Sequence, residues 1–453
     1  MSVRSRTAAR LTRWSSRWVP GSFTIAVGLT AVVFLGGMAA GIFLKNSTPM
    51  RAAWACVIAW GDGVWTLLEF GMQMCLVIFT GYIIAVSRPV RNALTRLVLL
   101  PRTPAGVILV VSAAAMLLAW VNWGLGLVAG AMLTRIVARE RRSVDYRLLV
   151  ACAYLGLGTT WHAGLSGSVP LLMATPDHFL IKTTGTIPVS ETIFWLPNVL
   201  FVFIAFAVVL ILVRLMVPPP QDAVAPAGPI GDDDEPPRRP PNPTPAERME
   251  HSVWPNILVA SVGLGALVHH FATQGPSLSL NTVNLAFLCI GIALHGTPAS
   301  LVAAAERGAG LLHGIVLQFP LYAGMFGIIK GTGLADVIAG AFVSVSGGGT
   351  YPLVVTLYSG LLNYFVPSGG SKWAVEAPYI LQAASDLGVP VRKVLLAYAY
   401  GDMWTNLIQP FWAIPILAAA KLEFKDILGY EIIVCAVYGL LISAGALALG
   451  FFF

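Results

Sequence analysis

Two short serine–glycine runs stand out because each lies inside a long apolar stretch. They are Ser166-Gly167-Ser168 and Ser368-Gly369-Gly370-Ser371, the second followed at once by Lys372. Backbone N–H and C=O groups freed at such a bend cannot face lipid; they are tolerated only inside protein or beside a watery cavity. A helix starting at the bend points its free N–H groups and positive dipole end into that cavity, which makes an anion site without any charged side chain. The serine hydroxyls add donors. Nearby, Asn363, Thr405 and Asn406 offer hard oxygen ligands suited to a small cation such as sodium, and Asp402, once buried, demands a cation or a proton. These residues could hold a carboxylate and a coupling ion together at mid-membrane.

Each of these residues also has a plainer reading. Glycines in apolar helices permit close helix packing. Lys372 is costly in an apolar segment; it could meet a substrate carboxylate or pair with Glu376 one turn on. His162 could carry a proton or be a hydrogen-bonded structural histidine. Asp402 lies in a polar island from Ala399 to Pro410, where Pro410 and Pro415 would interrupt a helix and free carbonyls; a helix boundary near the membrane surface is the competing view. Trp373, Val169 and Leu171 are the expected apolar surface for an alkyl tail. The five cysteines are scattered through apolar segments without a CxxC pair, as buried packing residues would be. No metal is implied beyond sodium.

The elements that must position these residues follow from a local repeat. Gly158, Ser166-Gly167-Ser168 and Pro176 align with Gly360, Ser368-Gly369-Gly370 and Pro378 at one offset of 202 residues. In each copy an apolar arm (Leu148–Thr159; Pro352–Tyr364) runs into the tip and a second arm follows. The spacing predicts two re-entrant helical hairpins, near 150–180 and 352–385. Interrupted hydrophobic segments at corresponding places in two halves are the usual pointer to a transporter's binding site.

Composition sets the medium. Of 453 residues, 57% are hydrophobic and 11% charged, whereas soluble domains carry about 25% charged residues. Apolar runs such as Ser22–Leu44, Val64–Val86, Ile193–Val217, Ile257–Phe271 and Ile427–Phe453 suit membrane spans of about 20 residues. The net charge of +7 does not imply nucleic acid, because it is gathered in short loops beside these runs. Arg4, Arg6, Arg10, Arg13 and Arg17 open the chain, and further clusters lie at Arg88–Arg102 and Arg135–Arg147. The positive-inside rule then predicts a cytoplasmic N-terminus, provided Ala105–Val137 forms two short spans broken at Asn122-Trp123-Gly124. The opening run is longer than a signal-peptide core and reads as a first span rather than a cleaved leader.

The chain divides into a basic cytoplasmic segment (1–21), a first membrane repeat (22–217), a Pro-rich acidic linker (218–252) and a second membrane repeat (253–453). Between Pro218 and Glu250 there are eleven prolines, seven acidic and three basic residues, a solvated stretch with polyproline-II leanings. GxxxxGK[ST], HExxH and GxSxG are all missing, so neither ATP binding nor hydrolysis has visible machinery. Energy must come from a gradient, or passage is passive. An enzyme or receptor would need a catalytic cluster or an added soluble domain, and neither is visible.

Eight stretches spread from residue 60 to residue 415 resemble the short-chain fatty acid transporter (AtoE) family. They are WGDGVW (60–65), FGMQM (70–74), VNWGLGLVAGAM (121–132), GLSGSVPLLMATP (164–176), NTVNLAFL (281–288), LQFPLYAG (317–324), VPSGGSKW (366–373) and AYGDMWTNLIQPFWAIP (399–415). The family belongs to the ion transporter superfamily. The resemblance implies an all-α polytopic protein of the bacterial inner membrane, with two inverted repeats, each carrying a re-entrant hairpin, and a dimerising scaffold with an elevator-like transport domain. It further implies that Ser166, Gly167, Ser168, Ser368, Gly369 and Gly370 contact substrate and sodium. The sequence departs from the family pattern at Lys372, where a less basic residue is expected, and at Asp402, where a longer acid is common. The expectation is symport of short-chain monocarboxylates such as acetoacetate or butyrate with sodium or protons, with Ser371 and Lys372 also at the substrate. The alternative is a same-fold carrier of another anion such as a dicarboxylate, for which Lys372 would supply the extra charge.

Overall fold

The computed structural model describes residues 20, 22–141, 143–226, 240–366 and 368–453. Every regular element among them is helical. The basic segment expected over 1–21 lies outside the described residues except for Pro20.

In chain order the principal helices are α1 (Ser22–Lys45), α2 (Pro49–Gly63), α3 (Leu68–Val86), α4 (Arg88–Leu99), α5 (Pro104–Val121), α6 (Trp123–Glu140), α7 (Tyr146–Thr159), α8 (Ser168–Met173) and α9 (Leu196–Met216). After the linker come α10 (Trp254–Gln274), α11 (Leu280–His295), α12 (Pro298–Ala309), α13 (His313–Thr332), α14 (Leu334–Val345), α15 (Tyr351–Phe365), α16 (Gly369–Asp386), α17 (Val391–Trp404), α18 (Ile414–Ala420) and α19 (Phe424–Phe451). Eight described spans are long and apolar enough to cross a bilayer, counting α7 and α8 as one broken span, Tyr146–Met173. The helix starts are legible locally. Thr103 caps α5, its Oγ1 accepting from the Gly106 N–H (3.1 Å) with Pro104 in the first turn. Asp145 caps α7 through the Leu148 N–H (2.8 Å).

The second expected hairpin is present. α15 and α16 run back along each other: Tyr351 OH donates to Ile380 O (2.7 Å) at the wide end, and Lys372 Nζ reaches Ser359 near the tip. The first differs from expectation. Between 146 and 173 the arms do not pack along each other; the chain is a helix interrupted over 160–167 and then resumed. The first hairpin is instead α5–α6, turning at Asn122. There Gly126 faces Ala119 so closely that a Cβ on Gly126 would lie 2.6 Å from the Ala119 Cα. The offset of 202 residues therefore pairs a broken helix with a hairpin.

The recurrence that the structure shows is larger. Each half carries a hairpin followed by a 14-residue helix, α7 or α17. A one-turn 3-10 segment follows each of these, Trp161–Ala163 or Thr405–Leu407. The hairpins and broken helices make the buried centre, while α1, α9 and α10 leave most of their apolar surface exposed, as lipid-facing helices do. Within the linker, Val224 is tied to the start of α7: its N–H donates to Asp145 Oδ2 (2.9 Å) and its carbonyl accepts from Tyr146 N–H (2.8 Å).

Candidate functional site

The two helix breaks and the second hairpin tip meet around one small cavity of about 50 Å³. Ser168, Ser368, Gly369, Gly370, Asp402, Asn363 and Asn406 supply its polar lining. Its apolar wall is Trp123, Trp161, Trp412, Phe319, Ile315, Met74 and Leu157. A larger, mostly apolar cavity of about 290 Å³ adjoins it and shares Ser368, Ile315, Phe319 and Trp412.

At the second tip, the first backbone bond within α16 is Lys372 N–H to Ser368 O (2.9 Å). The N–H groups of Gly369 and Gly370 precede it, at the orphan positions of a helix start. Both glycines are required by close approach. A Cβ on Gly369 would lie 2.5 Å from Asp402 Oδ2, and one on Gly370 3.1 Å from the Ser168 Cβ. Backbone donors can reach the cavity because no side chain stands there.

Four of the eight expected substrate contacts line the cavity: Ser168, Ser368, Gly369 and Gly370. The others stand behind it. Ser166 Oγ accepts from the Trp123 N–H (2.8 Å), fastening the first hairpin tip to the α7–α8 break. Gly167 lies against the His162 carbonyl. Ser371 Oγ is fully buried and hydrogen-bonded to Ser368 Oγ. Lys372 is only 2% exposed; it donates to Ser359 O (2.7 Å) and Ser359 Oγ (2.9 Å) and makes an ion-pair contact with Asp402 Oδ1 at 3.1 Å. Its ammonium also lies over the Tyr398 ring, 4.7 Å from the centroid. Thus Lys372 faces neither the substrate cavity nor Glu376 as first partner, but Asp402.

Asp402 is fully buried and its second oxygen accepts from His162 Nδ1 (2.9 Å). His162 Nε2 accepts from the Val169 N–H (3.2 Å). A ring nitrogen that accepts carries no proton, so His162 is the neutral tautomer with its hydrogen on Nδ1. It is stacked on Trp161 at 4.2 Å, with both nitrogens engaged, which is the structural role.

The candidate cation ligands also come together, but on one another. Asn363 Nδ2 donates to Thr405 Oγ1 (3.0 Å) and Asn406 Oδ1 (2.8 Å). The amide orientation is set by the surroundings: Asn406 Nδ2 donates to Leu157 O (2.9 Å) and Thr405 Oγ1 donates to Gly360 O (2.8 Å). Both oxygens facing Asn363 are therefore acceptors, and its NH₂ group lies between them.

Trp373, Val169 and Leu171, expected against an alkyl tail, are fully buried and off the cavity; the tryptophans at 123, 161 and 412 take that place. Trp161 lines the cavity with an Nε1–H that has no partner among the described residues. These tryptophans follow or precede the helix breaks in sequence, which is the signal that could have found them. Ser359, the lysine's anchor, carries no such signal, since only the hairpin brings it to residue 372.

Three comparisons bear on this arrangement. The sequence profile of the family described as "Short chain fatty acid transporter" matches residues 3–452. A protein of Escherichia coli (strain K12) described as a short-chain fatty acid transporter is 38% identical over 438 residues, covering 96% of this chain and 97% of the relative. One of Haemophilus influenzae with the same description is 35% identical over 436 residues, covering 94% and 95%. Among solved structures, the Alcanivorax borkumensis YdaH transporter superposes with a TM-score of 0.59 at 16% identity, over 96% of this chain and 99% of that one; a likeness at that identity speaks for the fold alone.

Proposed function

The chain belongs to the short-chain fatty acid transporter family, and from that premise we propose that it is a secondary carrier of short-chain monocarboxylates such as acetoacetate or butyrate. It is a membrane transporter and not an enzyme. The carboxylate is held by the N–H groups of Gly369 and Gly370 and the hydroxyls of Ser168 and Ser368, with the α16 dipole behind them. The short alkyl tail lies against Trp123, Trp161 and Trp412. The cavity suits a solute of a few heavy atoms, one end charged and the other apolar.

The observation that carries the monocarboxylate reading is the ion pair of Lys372 with Asp402. A fixed positive charge would favour a dicarboxylate, and Lys372 is the candidate that the sequence offers. Paired with Asp402 and turned away from the cavity, it offers no charge to a second carboxylate. The rest of the lining is aromatic and apolar apart from Asp402, Asn363 and Asn406, whose polar groups already have partners. An extra carboxylate would gain little there against its desolvation cost.

In this reading the hairpins and broken helices move as one body against the outer helices, in the elevator manner of inverted-repeat carriers, and two chains pair through the scaffold. The arginine clusters favour an inner-membrane protein with its N-terminus in the cytoplasm. Proteoliposomes containing the protein should take up labelled acetoacetate or butyrate faster than protein-free vesicles under an inward sodium or proton gradient. Concentration of succinate with no effect on either monocarboxylate would reverse the choice of substrate.

A further inference from the structure

Beside the substrate cavity of about 50 Å³ lies the larger one of about 290 Å³. Ser368, Ile315, Phe319 and Trp412 line both, so the two meet at the second hairpin tip. Away from the tip, the larger cavity runs between α13 and the stretch from Phe411 to Pro415. Its polar side chains there are turned on their neighbours: Tyr322 OH donates to Gln318 Oε1 (3.3 Å) and His313 Nδ1 to Gly310 O (2.8 Å). Among the described residues no lysine, arginine or carboxylate lines it. Gly310, His313, Ile414 and Pro415 are exposed, so the cavity reaches the protein surface at that end.

Two glycines on its wall, Gly310 and Gly314, leave this space open. Neither has a positive φ. A Cβ on Gly314 would meet only Gln318 Nε2 within 4 Å, at 3.7 Å, and one on Gly310 only the Arg307 carbonyl oxygen, at 3.9 Å. At the tip the reverse holds: a Cβ on Gly369 would lie 2.5 Å from Asp402 Oδ2. Gly314 is the second residue of α13, and glycine within a helix is disfavoured. Neither packing nor backbone conformation calls for it there. What the absent side chain leaves is room.

Size and lining say what the room suits. An apolar cavity of about 150 Å³ takes a six-carbon ring. The substrate cavity is a third of that and holds the carboxylate end with the first carbons. The larger cavity is nearly twice that size, more than the tail of butyrate fills. With no cation on its wall and its polar groups engaged, it suits hydrocarbon rather than a second charged group. Its junction with the donors of the tip makes the hydrocarbon a continuation of the bound acid.

We infer that the larger cavity is a tail subsite for longer unbranched monocarboxylates such as hexanoate and octanoate. Their head sits at Ser368, Gly369 and Gly370, and their chain runs past Ile315, Phe319 and Trp412 towards Gly314. The inference rests on the carrier reading above and extends its ligands beyond short chains. Each methylene moved from water to an apolar wall adds to affinity, so these acids bind more tightly than butyrate. They compete with the short acids because the head site is shared. Gly314 sets the length that fits, and a side chain there shortens it.

The test is counterflow of labelled acetoacetate in proteoliposomes, inhibited by external acetate, butyrate, hexanoate, octanoate or decanoate. Counterflow against unlabelled acetoacetate tests the carrier reading alone. Its absence in the unaltered protein sinks that reading, and the tail subsite is then read from tryptophan fluorescence of the purified protein titrated with the same acids. Inhibition should be competitive and should strengthen at least about tenfold from butyrate to octanoate, a fully buried methylene being worth about fourfold. Gly314→Leu should weaken octanoate at least about tenfold and butyrate less than about threefold. Ser368→Ala should weaken both acids by the same factor. Affinity that does not rise beyond butyrate overturns the inference: the cavity is then a watery way in, or lipid chains fill it. A rise kept in full by Gly314→Leu also overturns it, because the gain then comes from partition into the bilayer. Noncompetitive inhibition by octanoate places its head elsewhere and refutes the shared site. If Gly314→Leu does not fold, Gly310→Leu decides, a selective loss of octanoate supporting the inference and an unchanged rise refuting it.

Discussion

The two hairpin tips differ in how their polar groups are used. At the first, Asn122 Oδ1 accepts from Leu125 N–H (2.9 Å) and Asn122 Nδ2 donates to Val77 O (3.1 Å). Ser166 holds the Trp123 N–H, and the Leu165 N–H donates to Trp120 O (2.8 Å). At the second, Ser368 makes no side-chain cap to α16, and the leading N–H groups of that helix look into the cavity. One tip is knotted to its neighbours by direct hydrogen bonds. The other is held from behind by a buried lysine and leaves its donors for a solute. In the proposed reading the sealed bend is a structural joint and the open one receives the charge of the substrate.

The largest effect that could break this comparison concerns the holding charge. Removing either member of the Lys372–Asp402 pair strands the other in a buried site, which costs about 3–5 kcal/mol. Lys372→Met and Asp402→Asn should each lower the Tm sharply in detergent. The double variant Lys372→Met/Asp402→Asn should recover part of the loss, because no unpaired charge remains. Single variants with an unchanged Tm would mean that the second tip is not held by charge at all.

The sequence made the second tip readable and the first one misleading, for a physical reason. A glycine–serine run in an apolar stretch signals that a helix is interrupted. It does not say whether the chain then turns back or continues, because both outcomes free the same backbone groups. Thus Ser368-Gly369-Gly370 opens a hairpin, while Ser166-Gly167-Ser168 resumes a helix in line with the one before. The true first turn, at Asn122, has a single capping side chain in place of a glycine run, and in the sequence it reads only as a break between spans. Burial of Asp402 is one of two readings that its polar island between apolar runs leaves open, the other being a helix boundary at the membrane surface; the structure buries it. Its pairing with Lys372 was not legible, because thirty residues separate them and Glu376 stood one turn away as a nearer partner.

A smaller effect sharpens the difference at the sealed tip. Asn122→Ala removes both the cap on α6 and the donor to Val77 O. Loss of a cap costs about 1 kcal/mol, and loss of the additional hydrogen bond to Val77 O adds about 0.5–1.5 kcal/mol. The protein should melt at a lower temperature, and the fraction that remains folded should keep the KM of the unaltered carrier. A raised KM at normal Tm would show that Asn122 bears on substrate binding and not only on the fold.

The finest contrast lies within one motif, between Ser166 and Ser168. Ser166 is fastened to the Trp123 N–H; Ser168 lines the cavity. Ser166→Ala leaves a buried N–H without its acceptor, so it should lower the Tm by an amount equivalent to about 1–3 kcal/mol while KM stays put. Ser168→Ala removes a hydroxyl at the cavity wall that the proposed reading assigns to the substrate. A hydrogen bond to a charged group is worth about 1.5–3 kcal/mol, so KM should rise roughly tenfold or more at constant Tm, and Ser368→Ala should behave like Ser168→Ala. Two serines separated by one glycine would then fail in opposite assays. If both change KM, the Ser166 side of the break belongs to the substrate chamber and the first tip is open as well. If both change only the Tm, the chamber is not the binding site, and the donors of Gly369 and Gly370 face some other ligand.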